Sequence, residues 1–546
     1  MTGAFSREVA LGRLAAERFD VLVVGGGITG AGVALDAAAR GLRTALVERG
    51  DFASGTSSRS SKLVHGGLRY LQQREFRLVR ENLAERRRLL ANAPHLVRPL
   101  TFVIPLVGPG GVVAEAVARG YSTALWAYDL SGGLRIGRRH RRLSRDDVRA
   151  ALPTVRAELV SAGFSYADAW ADDARLTLAV VRTAVVDHGA VALNHAPVAA
   201  LLKATGGRVS GAVLEDGTEV RADTVVNAAG VWADAVAGLD DSARRPQLRP
   251  AKGVHLTVPR HRLPCHYAAV LPAPDRRSIF VVPWGEQVYL GTTDTEYAGP
   301  LDDAVCTPED VAYVLGAANE VLGDPLRPAD VVGTWAGLRP LLDSGGSART
   351  TDLSRRHRVE TSPGGVVSVT GGKLTTYRRM AADTVDEVVH LLGRGARRSP
   401  TRRLALRGGR GAPGTGGTAG AGLDGATLDH LASRYGSEAG DVAALVADDA
   451  DLGRPLVAGL PYLRAEAVYA ARHEMAGTVD DVLSRRTRAL ILARDASVAA
   501  APDTARLLAA ELGWPEGRAG QEVARYVAAA ERERAAAGLG AIPAGQ

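Results

Sequence analysis

The chain has 546 residues, 46% hydrophobic and 23% charged, values that suit a globular protein with sizeable cores and exclude a disordered one. No run of 18 apolar residues appears, and the start, MTGAFSREVALGRLAAERFD, has no apolar signal segment, so neither a spanning helix nor export is expected and the cytoplasm is the expected compartment. Cys265 and Cys306 form no metal or disulfide motif, and the net charge of +7 is scattered, so no metal and no nucleic-acid partner are expected.

Near the start, Val21–Val24 is an apolar run that ends in Gly25-Gly26-Gly27-Ile28-Thr29-Gly30 and passes into an alanine-rich helical segment. A second apolar run, Thr44–Val47, ends in Glu48, 23 positions after Gly25. Strand, glycine turn, helix, strand, acid is the order of a dinucleotide-binding βαβ unit. Gly25 allows the tight turn, Gly27 a close approach of pyrophosphate, and Gly30 close helix–strand packing, while Glu48 reaches the ribose hydroxyls. A flavin and a nicotinamide dinucleotide both satisfy this pattern.

Further on, Glu75–Leu90 has the spacing of a helix with one solvated, arginine-rich face, and Thr101–Val107 that of a strand. Gly110–Asp129 reads as helical, as does the stretch from Phe164–Trp170 and Asp172-Asp173-Ala174-Arg175-Leu176 to about Gly189. Glu215-Asp216-Gly217-Thr218 marks a hairpin, and Thr224–Val226 a strand leading to the small-residue turn at Ala229 and Gly230. From Lys252 the strands Lys252–Val258, Ser278–Trp284 and Gln287–Thr293 follow without helices between them, which predicts an antiparallel sheet. Leu406–Asp424 is glycine-rich and reads as a linker, and Ala426–Ala537 is helical throughout. Only Lys62, Lys203, Lys252 and Lys373 are lysines, so 63 of the 67 basic residues are arginine. A chain that so prefers arginine is expected to keep lysine where a compact ammonium is needed.

The segment Ser54–Tyr70, SGTSSRSSKLVHGGLRY, adds far more specific information. With Asp172–Leu176, Val282-Pro283-Trp284, Gly291-Thr292-Thr293-Asp294, Gly337-Leu338-Arg339-Pro340 and Gly371–Tyr377 it closely resembles the FAD-dependent glycerol-3-phosphate dehydrogenases, from roughly Arg18 to Ala382 and more weakly through the helical tail. The resemblance implies an α/β protein: a split FAD-binding Rossmann-like domain, an inserted antiparallel-sheet substrate domain and a C-terminal helical domain. The expected boundaries are an oxidoreductase region at 18–390, a linker at 400–424 and a helical domain at 425–538. Within the first, 18–100, 160–245 and 335–390 are assigned to the cofactor and 100–160 and 245–335 to the substrate.

The resemblance also implies FAD as cofactor and oxidation of sn-glycerol 3-phosphate to dihydroxyacetone phosphate, with a quinone as electron acceptor and hence peripheral contact with the cytoplasmic face of the membrane. Arg69, Arg339, Arg355 and Lys373 are the implied substrate contacts, with Tyr70 and His255 beside them as candidates to orient substrate or move a proton; no residue is singled out as the base. The implied cofactor contacts are Gly25, Gly26, Gly27, Thr29, Gly30, Glu48, Thr56, Ser57, Ser58, Lys62, His65, Gly66, Gly67, Ala229, Gly230, Gly372, Lys373, Leu374 and Thr375. A glycerol-3-phosphate oxidase that reduces oxygen, or an amine or amino-acid oxidase of the same fold, shares the cofactor half of the pattern. The last has no need of clustered cations for a phosphate.

Overall fold

A computed structural model describes residues 5–68, 70, 75–241, 243–273, 275, 277–342, 357–395, 398–411 and 422–540. Two sheets dominate them. In the first, Arg18–Val24, Thr44–Val47, Val191–Leu193, Glu219–Asn227 and Val367–Thr370 lie parallel in the spatial order 367–370, 219–227, 18–24, 44–47, 191–193. Val21–Val24 and Thr44–Val47 are buried along their whole length, as parallel strands covered on both faces must be. Segments more than 300 residues apart in the chain thus meet in one sheet, which makes the cofactor fold a split one. The Glu215–Thr218 turn joins Val209–Leu214 to Glu219–Asn227 as the expected hairpin.

The helix after the glycine turn, Ile28–Ala39, has ten of its twelve residues buried, because the sheet covers one side and the helix Tyr377–Leu391 another. Gly32 permits this: a Cβ there would lie 2.7 Å from the Tyr377 ring. At its far end Asp36 and Arg40 form an ion pair of 2.5 Å with almost no exposed surface.

The second sheet runs Thr295–Glu296, Leu248–Pro259, Gln287–Gly291, Ser278–Trp284, Ala268–Pro272, Val97–Val107, Val160–Ala171, Leu63–Val64. It is antiparallel as expected, except that Ala268–Pro272 lies parallel to Val97–Val107. Phe164–Trp170 belongs to its long strand Val160–Ala171 and not to a helix; the helix begins only at Asp173, where the Asp172 carboxylate caps it. Gly333–Leu342 pairs with Leu248–Pro259 over ten residues, placing Trp335 opposite His255 and Arg339 opposite Ala251. The cofactor loop is tied to this sheet as well, since Leu63 and Val64 pair with Trp170 and Ala169.

The amphipathic helix Phe76–Asn92 differs from expectation in one respect. Arg86 on it is 1% exposed, held by Asp168 of the strand beneath at 2.5 Å, so its basic face is not wholly solvated. The expected linker keeps Leu406 buried, and residues 412–421 of it lie outside the described residues. Beyond it, the regular elements among the described residues are all helices: Gly425–Tyr435, Ala439–Asp448, Arg464–His473, Ala489–Leu492, Arg494–Leu512 and Arg518–Ala536, with a π-helical turn at Asp481–Arg486.

Buried ion pairs recur in this helical part. Glu466, 1% exposed, accepts from His430 at 2.8 Å, from the Leu463 N–H at 3.0 Å and from Tyr435 at 3.0 Å, with Arg434 beside it. Burial alone would raise its carboxyl, but His430, Arg434 and the Leu463 N–H outweigh burial and bring it to about 2. A carboxyl depressed on folding stabilises above its unfolded value near 4.5, and that contribution fades as pH falls from there to about 2. Glu466→Gln is therefore expected to be less stable than the parent by roughly 3 kcal/mol at pH 6, with the gap falling to less than half of that by pH 3. Urea unfolding at both pH values measures it, and a gap that does not change with pH would show that Glu466 contributes by shape alone.

Candidate active site

The glycine turn forms a cradle with one open side. Gly25 has φ +114°, and a Cβ on it would lie 2.6 Å from the Ala228 carbonyl oxygen, so the turns after the strands Arg18–Val24 and Glu219–Asn227 press together there. A Cβ on Gly30 would lie 1.9 Å from the Gly25 oxygen, so only glycine lets the helix start this close to the strand. Gly27 caps the helix without a side chain, and the first turn holds no acid that would repel an anion. Gly27 and Thr29 are the partly exposed positions of this otherwise buried turn. The unshielded N–H groups and positive dipole end there suit a pyrophosphate.

Glu48 closes the neighbouring wall, accepting from the Gly26 N–H at 2.6 Å and the Gly50 N–H at 2.8 Å. Burial raises its carboxyl, against the pull of those two donors. Ala229 and Gly230 sit across the cradle. Gly230 has φ +60°, and the space a side chain would take there is open.

From the cradle, residues 54–68 run along the second sheet, and almost every one of them is tethered. The Thr56 hydroxyl donates to the Leu338 carbonyl at 2.6 Å, and Ser57 Oγ accepts from the Ile28 N–H at 2.8 Å, at the mouth of the cradle. Ser58 Oγ turns back to the Gly55 carbonyl at 3.3 Å. Ser60 donates through both its N–H (3.0 Å) and its hydroxyl (2.7 Å) to Asp173. Lys62 has φ +56° and no exposed surface; its ammonium lies 3.2 Å from Asp173, 3.1 Å from the Ser58 carbonyl and 4.6 Å from the Trp335 ring centre. Burial first, and then nearby Arg488, lower its pKa to about 8 despite Asp173. Lys62, implied as a cofactor contact, is thus committed to holding the loop, because its ammonium has no surface left to present.

Beyond it, the His65 N–H donates to Thr375 Oγ1 at 3.2 Å, bringing the loop to the turn Leu374–Thr376. The Gly66 N–H donates to the Tyr128 hydroxyl at 2.9 Å, and Tyr128 in turn donates to Asp168 at 2.6 Å. A Cβ on Gly66 would lie 2.4 Å from that hydroxyl. Gly67 has φ +81°, and the Tyr70 ring occupies the place of its side chain. Over that ring, 3.8 Å from its centre, stands the Lys373 ammonium, which follows Gly371 and Gly372, both left-handed. Arg69 and Arg355 lie outside the described residues.

Arg339 and His255 lie near one another on adjacent strands. Arg339 donates to Asp294 at 3.0 Å and to Thr292 Oγ1 at 3.2 Å, with its side chain 23% exposed. Gly253 makes room for it, since a Cβ there would lie 2.5 Å from Nη2. His255 stacks on Trp335 at 4.8 Å and 9°, with Nε2 2.9 Å from Ser61 Oγ. Burial first, and then the Lys62 and Arg339 cations, hold its pKa well below 6.5. Protonation of the ring is thus disfavoured, and it is neutral at pH 7. The structure therefore joins His255, Arg339, Lys62 and the cradle mouth, and separately joins His65, Thr375, Tyr70 and Lys373, along one loop.

Sequence reading missed Asp173, Trp335 and the Tyr128–Asp168–Arg86 cluster. Asp173 sat in a quoted motif, but only as the start of a helix; nothing local marks Asp168 or Arg86, which meet across 82 residues of chain.

Cradle, carboxylate wall and open phosphate end fit the ADP half of FAD, and comparison bears on its flavin half. Residues 20–378 match the model of the FAD dependent oxidoreductase family, and residues 399–519 that of the C-terminal domain of alpha-glycerophosphate oxidase. The chain is an FAD-binding oxidoreductase. It is 43% identical to glycerol-3-phosphate dehydrogenase 2 of Mycobacterium tuberculosis (97% of this chain, 91% of the relative) and 38% identical to the mitochondrial glycerol-3-phosphate dehydrogenase of Rattus norvegicus (95% and 74%). The structure of the glycerol-3-phosphate dehydrogenase from Bacillus halodurans complexed with FAD superposes with a TM-score of 0.79 at 33% identity, covering 98% of each chain. The chain belongs to the FAD-dependent glycerol-3-phosphate dehydrogenase family.

Gly30→Ala tests the cradle. The added methyl must push the helix off the strand, so FAD affinity is expected to fall at least about tenfold and stability by about 1–3 kcal/mol. Titration of the apoprotein with FAD, followed by flavin fluorescence, reads the first, and an unchanged affinity would detach the pyrophosphate from this turn.

Proposed function

We propose that the chain oxidises sn-glycerol 3-phosphate to dihydroxyacetone phosphate and that a quinone takes the electrons. The observation that carries this reading is the pairing of an oriented, partly exposed Arg339 with a neutral His255 on adjacent strands beside the cofactor loop. Arg339, pre-set by Asp294 and Thr292, offers a planar fork that suits one face of a phosphate dianion. Lys373 adds a compact positive charge beside Tyr70, and Arg69 and Arg355 are the further cations that the resemblance assigns to the phosphate.

His255, kept neutral and held by Ser61, is assigned to orienting the C2 hydroxyl, whose proton passes to a base as the hydride leaves C2. Bound FAD supplies the two-electron acceptor, N5 of its flavin, for the C2 hydride. Gly25, Gly26, Gly27, Thr29, Gly30, Glu48, Ala229 and Gly230 are assigned to its ADP half, and Thr56, Ser57, Ser58, His65, Gly66, Gly67, Gly372, Leu374 and Thr375 to the stretch toward the flavin. An amine or amino-acid substrate has no need of this cluster of cations.

The quinone reading has support on the surface. No helix among the described residues is long and apolar enough to cross a membrane. The helix Glu115–Leu130 and its flanks instead expose Val112, Val117, Trp126, Leu130 and Leu134, beside a cavity of about 470 Å³ lined by Arg119, Arg139, Arg141 and Arg142. Apolar side chains rimmed by arginine suit the boundary of an anionic bilayer.

Under anaerobic conditions sn-glycerol 3-phosphate is expected to bleach the flavin absorbance of the holoenzyme, and a flavin that stays oxidised would reject the substrate. Stoichiometric peroxide under air would favour oxygen over quinone. Arg339→Ala is expected to raise KM by about two orders of magnitude, ~3 kcal/mol, while FAD stays bound. Steady-state kinetics equal to the parent's would remove Arg339 from the phosphate site. Cosedimentation with anionic vesicles at low salt is expected for the parent and reduced for Leu130→Asp. Equal binding of both would place membrane contact elsewhere.

A further inference from the structure

The loop between Glu48 and Lys62 forms one wall of the cofactor cradle. Its Gly50 N–H orients Glu48, its Ala53 N–H donates to the Gly26 carbonyl at 3.1 Å, and Ser57 meets the Ile28 N–H. This wall is held from the far end of the chain. The Asp51 carboxylate, 1% exposed, accepts from Arg485 Nε at 2.6 Å and from both terminal nitrogens of Arg486, the longer contact 2.9 Å. Arg488, also 1% exposed, donates to the Ser58 carbonyl at 2.5 Å and to Asp173 at 3.3 Å. The Ser58 carbonyl thus takes one bond from Lys62 and one from Arg488, and these fix the Ser58–Arg59 peptide, one residue beyond Ser57.

The backbone of the C-terminal segment is shaped for this contact. A π-helical turn, Asp481–Arg486, places Arg485 and Arg486 on Asp51, and Arg488 has φ +64°, a left-handed conformation uncommon for arginine. Such a conformation persists where the surroundings over-determine it. Other arginines bridging the two parts, Arg175 to Glu474 and Arg182 to Glu438, touch no residue of the loop, so interface stability alone does not require Arg486 and Arg488 to end on the cradle wall.

We infer that Arg486 and Arg488 of the C-terminal helical part are positioning residues for FAD, holding the loop from Asp51 to Ser58 in the conformation that receives the pyrophosphate. The helical part is then a component of the cofactor site rather than an appended module. The inference concerns cofactor affinity and needs no substrate, so its failure and that of the proposed reaction are separable.

The test uses the full-length apoprotein, titrated with FAD and followed by flavin fluorescence. Arg488→Lys keeps a charge but loses the longer planar fork that reaches Ser58 and Asp173 from the C-terminal part, and Arg488→Met removes the charge while keeping much of the volume. Both are expected to weaken FAD binding by roughly ten- to a hundredfold, the size of one charge-assisted hydrogen bond, and to shift the flavin absorption band of the FAD-saturated protein. Arg472→Ala, which breaks an exposed pair with Glu511 inside the helical part, is expected to bind FAD as the parent does. Folded Arg488 variants with the parent's affinity and spectrum would overturn the inference. Should neither variant fold, hydrogen exchange on the parent protein decides. FAD is expected to protect peptides covering 481–488 together with 50–62, and protection confined to 24–31 and 50–62 would overturn it.

Discussion

One buried carboxylate carries much of this architecture. Asp173, without exposed surface, accepts from the Ser60 N–H and hydroxyl, from the Lys62 ammonium and from the Arg488 guanidinium. Those donors come from the cofactor loop and the C-terminal part, and Asp173 itself begins the helix Asp173–Arg182 behind the parallel sheet. Two cations share that carboxylate and the Ser58 carbonyl, so neither is left bare in a low-dielectric interior, where an unpaired charge is expensive. The loop's path, and with it the placing of Ser57, Ser61 and His65, depends on this point.

The arginine bias has a structural counterpart. Arg86, Arg486 and Arg488 are among the largest fully buried side chains, each fastened to carboxylates or carbonyls by a fork that can make several bonds at once. Lysine is kept for narrower places. Lys62 fits between Asp173 and Trp335, Lys252 pairs with Asp310 at 2.5 Å, and Lys373 stands over the Tyr70 ring, while Lys203 alone of the four is at the surface. The same cations act on a neighbour: after burial, Lys62 and Arg339 hold His255 well below the usual imidazole value and so neutral.

How much was legible depended on how local the information was. The glycine turn was readable because φ +114° at Gly25 and the helix–strand approach at Gly30 each demand glycine at a fixed offset. Arg339 and Lys373 were readable because they lie in unusual short motifs. Phe164–Trp170 was misread because a strand buried on both faces shows no alternation, and Asp172, the true cap, follows it directly. Arg86 was taken with its neighbours as solvated, since nothing in Phe76–Asn92 foretells that Asp168 lies beneath it.

The sequence by itself determined the dinucleotide cradle, the family resemblance and most of the residues named around the site, because turns, caps and motifs act over a few residues. Only the tertiary structure decided what those residues touch. It turned Lys62 inward, set His255 against Trp335 and Ser61, and brought Arg486 and Arg488 more than 400 residues back to the cofactor loop. Pairing of buried charges is settled by which partners the packed sheets and helices bring within about 3 Å, and no spacing along the chain encodes it.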